Sequence, residues 1–61
     1  MVWPIEICHP CESCRKWTIH KLVGQHHFYL VYECEICARR VLVARAAVLL
    51  YTDFSRCGQP L

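Results

Sequence analysis

Two short stretches of this 61-residue chain repeat one another: Cys11-Glu12-Ser13-Cys14-Arg15-Lys16 and Cys34-Glu35-Ile36-Cys37-Ala38-Arg39. In each, cysteines stand at the first and fourth positions of a tight turn, which aims two thiolates at one point. Two such turns complete the tetrahedral sulfur cage that a structural zinc ion takes. Nineteen residues separate Cys14 from Cys34, the length of a two-stranded hairpin whose ends return to the same place. Strand pairing and metal coordination then close the loop jointly. The predicted ligands are Cys11, Cys14, Cys34 and Cys37, holding one zinc per chain. Iron is the second choice for a four-sulfur cage.

A chain this short forms one domain, residues 1–61, and buries only about 60% of its unfolded surface, which leaves it marginal without reinforcement. A structural zinc site contributes roughly 10–16 kcal/mol in small peptides, more than the net stability of an unaided chain of this size. Folding and metal binding are therefore expected to be coupled.

The chain has six cysteines. Three disulfides in a secreted module are the competing use of that number. The start, Met1-Val2-Trp3-Pro4-Ile5-Glu6, lacks the basic region, apolar stretch and cleavage site of a secretory signal. A reducing, cytoplasmic setting with metal-bound thiolates is the expectation that follows.

Three cysteines, Cys8, Cys11 and Cys14, recur at intervals of three, so two different turns compete for the first half of the cage. The repeat selects Cys11 and Cys14, because only that register matches the Glu of the second copy. Cys8 and Cys57 are left over. With His9, His20, His26 and His27 they form the candidate set for a second or alternative metal site, and Cys8 with Cys57 is also a candidate terminal disulfide or redox pair. The plainer reading makes the cysteines small buried hydrophobes and the histidines ordinary residues.

Pro4 and Pro10 block a helix near the start, so residues 1–10 are read as an irregular arm whose Val2, Trp3, Ile5 and Ile7 cover the core. Trp17–Val23 and His27–Glu33 read as the strands of a central hairpin, with Gly24-Gln25 as its turn. Alternation in the second strand groups Phe28, Leu30 and Tyr32 on one face and Tyr29, Val31 and Glu33 on the other. Residues 38–51 carry both signals: Val41-Leu42-Val43 favours a third strand, whereas the alanines and leucines after it favour a helix. Residues 52–61 read as a loose tail. The apolar run Val41–Tyr51 is interrupted by Arg45 and is too short to span a bilayer. The predicted fold is thus a small metal-stabilised protein, mostly β or α+β.

Spacing and hairpin together resemble the zinc-ribbon group over about half of the chain. The resemblance implies two knuckles, a three-stranded sheet and a role as a nucleic-acid- or polymerase-binding module in transcription or translation. Ribbon knuckles often carry Gly after the second cysteine, where this chain has Arg15 and Ala38. The spacing is also similar to treble-clef fingers of the GATA type, in which the second cysteine pair opens a helix; nothing beyond spacing matches their DNA-reading sequence.

A closed four-thiolate site has no open position for water, and neither a His-x-Glu element nor a strand-helix-strand frame with a reactive cysteine pair at a helix start accompanies the cysteines, so catalysis is not expected. Hydrophobic residues make up 56% of the chain, more than so small a fold can bury. Trp3, Trp17, Tyr29, Tyr51, Phe54 and Val48-Leu49-Leu50 are expected to leave an apolar patch. The leading expectation is a zinc-stabilised regulatory adaptor that binds a protein partner, with a homodimer through residues 41–51 as one way to cover the patch. The alternative is a nucleic-acid-binding ribbon that places Arg15, Lys16, Arg39, Arg40 and Arg45 on phosphates and uses Trp17 for stacking. A formal net charge of +2 does not by itself favour it.

Overall fold

The computed structural model describes residues 3–61 and is built around one antiparallel sheet. Its four strands, β1 (Glu6–Cys11), β2 (Lys16–His26), β3 (Tyr29–Cys34) and β4 (Arg40–Ala44), lie in chain order. Two short 3-10 turns follow, Val48–Tyr51 and Phe54–Arg56. Each strand is joined to the next by a short connection, and both cysteine repeats occupy such connections.

The arm expected to be irregular instead supplies β1. Pro10 lies opposite Trp17 in the pairing. It is accommodated because β1 is the edge of the sheet, where a missing N–H breaks no inner ladder. The hairpin turn also falls elsewhere than expected, since β2 continues through Gly24 to His26 and the chain reverses at His27-Phe28. His27 supplies the left-handed residue of that turn, with φ 54°. Gly24 marks a bulge: Leu22 pairs with Tyr32, but Gly24 pairs with Val31, so one extra residue is inserted in β2.

Alternation along the strands gathers the core on one face. Ile7, Leu30, Tyr32, Val43 and Val48 are buried together, with Trp3, Leu22, Val41 and Tyr51 packed around them. Leu30 and Tyr32 behave as the pattern predicts. Phe28 does not share that face, because it belongs to the turn and is 79% exposed. Of the arm's apolar residues, Ile7 is core, Trp3 borders it and Ile5 is exposed; Val2 lies outside the described residues. The Tyr32 hydroxyl donates to the carbonyl of Pro4 at 2.7 Å, tying the segment before β1 to the sheet.

Residues 38–51 form the strand, to Ala44, but in place of the helix only a single turn of 3-10 helix; that turn buries Val48 on the core, so Val48 does not belong to the apolar patch expected of it. Among the described residues there is no α-helix, which removes the α+β form of the fold and the helix that a GATA-type finger requires. No helix is long and apolar enough to cross a membrane. The last residues are also better placed than a loose tail. Gly58 N–H donates to Trp17 O at 2.7 Å, Trp17 N–H to Gln59 O at 2.9 Å, and Leu61 N–H to Arg15 O at 3.2 Å. Glu35 N–H bonds Ile19 O on β2. Because strand residues turn their backbone groups to alternate sides, residues 58–61 take over the flank of β2 that β3 leaves at the second cysteine turn.

Candidate metal centre

Cys11 ends β1 and Cys34 ends β3, so each turn begins from a residue held in the sheet. Cys14 and Cys37 lie three residues further on, in the turns themselves. In the first turn Arg15 N–H donates to Glu12 O, and in the second Ala38 N–H donates to Cys34 O. Both turns finish on a left-handed residue, Arg15 with φ 57° and Ala38 with φ 63°. A Cβ in this region meets a steric cost of about 1–2 kcal/mol at each of the two residues.

The four cysteine sulfurs come together within 4.8 Å of one another. Cys11 Sγ lies 3.5 Å from Cys37 Sγ, and Cys14 Sγ lies 3.9 Å from Cys34 Sγ. With metal–sulfur bonds of about 2.3 Å, the edges of a tetrahedral cage are roughly 3.8 Å. The two turns therefore face each other at the separation a tetrahedral ion requires, and the thiol-only donor set suits zinc or iron.

The sulfurs do not titrate alike. Burial pushes the Cys34 thiol up, but hydrogen bonds from the Thr18 hydroxyl, from the backbone N–H groups of Cys37 and Ile36, and from the Cys37 side chain outweigh it and bring Cys34 down to about 6. Thr18 Oγ1 stands 3.2 Å from Cys34 Sγ, and Ile36 N–H donates to the same sulfur at 3.4 Å. Cys14 moves the other way, to about 12, through desolvation and then its hydrogen bonds with Cys11, Cys37 and Cys34. Cys37 is also raised: the backbone hydrogen bond at Arg39 pulls it down, and desolvation with the thiols of Cys11 and Cys34 outweighs that pull. Cys34 thus holds the first negative charge in the cluster, and Thr18, itself buried, is a supporting residue that the spacing of the cysteines did not reveal.

The remaining candidates do not assemble into a second cluster. Cys8 and Cys57 are joined by a disulfide, with Cα atoms 5.8 Å apart, so in this state neither offers a thiolate to an ion. His26 and His27 meet edge to face at the hairpin tip, six residues along β2 from His20 and hence about 20 Å from the cysteine end. His9 packs against His20 and Tyr51. Its ring is held below its ordinary value mainly by burial, opposed by a hydrogen bond to Pro10 and aided by neighbouring His20. Among the described residues the four cysteines are the one group of metal-ligating side chains that meets.

The basic residues are largely engaged. Lys21 pairs with Glu35 at 3.1 Å, Arg39 with Glu12 at 3.8 Å and Arg40 with Glu33 at 3.5 Å. Arg45 donates to Gln25 and lies over the Trp3 ring, while Arg56 lies over Trp17. Arg15 and Lys16 make no ion pair among the described residues. Comparison with protein-family models, curated proteins and solved structures returns no match to this chain.

Proposed function

We propose that this chain is a zinc-stabilised adaptor that binds a protein partner through the surface around its two 3-10 turns. The zinc ion would be held by Cys11, Cys14, Cys34 and Cys37 and would supply cross-linking and charge neutralisation rather than reactivity, because four thiolates leave no position for a substrate. The chain's own residues do the rest: β1 and β3 fix two of the sulfurs, and Thr18 steadies the thiolate of Cys34.

The observation that carries the reading is the exposure of large apolar side chains on one short stretch. Leu49 is 72% exposed, Leu50 76% and Phe54 45%. Leu50 also helps to line a cavity of about 390 Å³ whose walls include Trp17 and Tyr51 and whose rim carries Asp53 and Arg56. The lining is mixed, with the side chains of Trp17, Leu50 and Tyr51 beside one charge of each sign, which suits a partner side chain that is apolar in its body and polar at its tip. Phosphate binding draws less support, since Arg39, Arg40 and Lys21 already face carboxylates and Arg56 covers the face of Trp17.

A photo-crosslinker at position 50 tests the proposal. A discrete protein adduct that persists at high salt and disappears in the Leu49→Asp/Phe54→Asp variant supports it. Absence of any adduct, together with polynucleotide binding that weakens steeply with salt, would replace it with the nucleic-acid reading.

A further inference from the structure

Cys8, Cys11 and Cys14 are evenly spaced, yet the fold gives them two different chemistries. Successive side chains on a strand point to opposite faces, so Cys8 and Cys11, three positions apart on β1, lie on opposite sides of the sheet. Cys11 joins the four-sulfur cluster on the face that carries Ile7 and His9. Cys8 turns to the other face and is bonded to Cys57. The sheet itself stands between the two sulfur systems.

The disulfide is the one buried anchor of the C-terminal segment. Of residues 52–61, Cys57 alone is shielded from solvent; the other side chains are exposed. Apart from it, the segment is held to β2 by the backbone hydrogen bonds of Gly58, Gln59 and Leu61 and by the Lys16–Pro60 pairing. Solvent-exposed hydrogen bonds of this kind contribute little on their own.

We propose that Cys8–Cys57 is a redox-active site, exchanging with a dithiol reductant, and that its reduction releases residues 52–61 and uncovers the flank of β2 at Arg15–Trp17. Attack falls on Cys57. Cys8 is only 1% exposed, although it borders the 390 Å³ cavity, whereas Cys57 is half-buried and lines a cavity of about 210 Å³ together with Lys16, Glu35 and Gly58. Glu35 in this cavity is paired with Lys21, whereas Lys16 makes no ion pair among the described residues and leaves positive charge on the path of an incoming thiolate. The thiolate bonds to Cys57 Sγ as the Cys57–Cys8 bond breaks; the bonding pair leaves on Cys8 Sγ, which takes up a proton. The second thiol of the reductant then displaces Cys57 Sγ, which is protonated in turn. The protein gains two electrons and two protons, and the reductant departs as its own disulfide.

Amide hydrogen exchange on the zinc-loaded chain, with and without dithiothreitol, tests this. Reduction is expected to speed exchange at Trp17, Gly58 and Leu61 at least tenfold more than at Cys34 and Ala38, which donate within the second cysteine turn. Cys57→Ser and Cys8→Ser should each give the same pattern without reductant. Alkylation of the reduced protein should reach Cys57 before Cys8 and spare the metal-bound cysteines. Unchanged protection at Trp17, Gly58 and Leu61 after confirmed reduction would overturn the proposal, and so would loss of protection at Cys34 in step with them, which would make the bond a global staple rather than a local latch.

Discussion

Replacing Thr18 by valine should weaken metal binding about 30-fold while leaving the fold in place. Thr18 is 4% exposed, and its hydroxyl lies 3.2 Å from Cys34 Sγ, the sulfur that ionises first. Valine keeps the branched shape, so no cavity opens; only the O–H donor to the thiolate is lost. A hydrogen bond to a charged acceptor is worth about 1.5–3 kcal/mol. Loss of a residue that orients a metal ligand typically costs 10–100-fold in affinity, and about 2 kcal/mol reconciles the two ranges. Competition for zinc against a chromophoric chelator measures the affinity directly. Ultraviolet titration of thiolate should show Cys34 ionising at higher pH in Thr18→Val, and Thr18→Ser, which keeps the hydroxyl, should remain close to the parent. An affinity for Thr18→Val within twofold of the parent would refute the reasoning, because the hydroxyl would then not be supporting the thiolate.

Other outcomes follow from the same geometry. A strong chelator, or Cys34→Ser, should abolish the cooperative thermal transition seen by circular dichroism, since each removes coordination that stabilises the domain by many kcal/mol. Metal affinity should fall as pH falls: at pH 7 Cys34 is largely ionised, but Cys14 and Cys37, both raised, must each release a proton to bind. The apparent log affinity should therefore change by about two or more units per pH unit and steepen below about pH 6, as Cys34 is protonated as well; a pH-independent affinity measured by the same chelator competition would contradict that assignment. Cys57→Ser opens a loop that spans 49 residues, which corresponds to about 4 kcal/mol in the chain-entropy account; denaturant unfolding of the zinc-loaded chain should show a lower midpoint with the domain still folded. Ala38→Gly removes a Cβ from a left-handed residue and should raise the melting temperature, with a net gain of about 0.5–1 kcal/mol after the added flexibility of glycine is counted.

The cysteine repeat made the centre legible because its information is local. Spacing inside each turn aims two sulfurs at one point, and the distance between Cys14 and Cys34 sets the hairpin that joins them. What the sequence concealed depended on neighbours. Pro10 reads as a breaker, yet whether it breaks anything depends on which strand lies at the sheet edge, and that is a property of the whole sheet. Gly24 reads as a turn, but its bulge follows from the register with β3, and the left-handed residue at the true turn is His27, for which no glycine advertises the position. The arithmetic of six cysteines minus four ligands left Cys8 and Cys57 over, with a disulfide between them as one reading beside free thiols and a second metal site; the fold selects the disulfide. Nothing along the chain between them could show that the pair fastens residues 52–61 against β2, so the tail read as loose. Thr18 escaped notice for the same reason: its value to Cys34 arises across two strands and has no spacing of its own.

The bulge at Gly24 divides β2 into two stretches with opposite phase. Before it, Thr18, His20 and Leu22 face the core; beyond it, Gln25 lies opposite buried Leu30. A shift of alignment at the hairpin tip can therefore be absorbed at this joint before it reaches the rows that hold the sulfurs. The tip from Gln25 to Phe28 is in that sense an interchangeable part, a place where loops of different length and chemistry can be grafted while the cysteine turns at the other end keep their spacing.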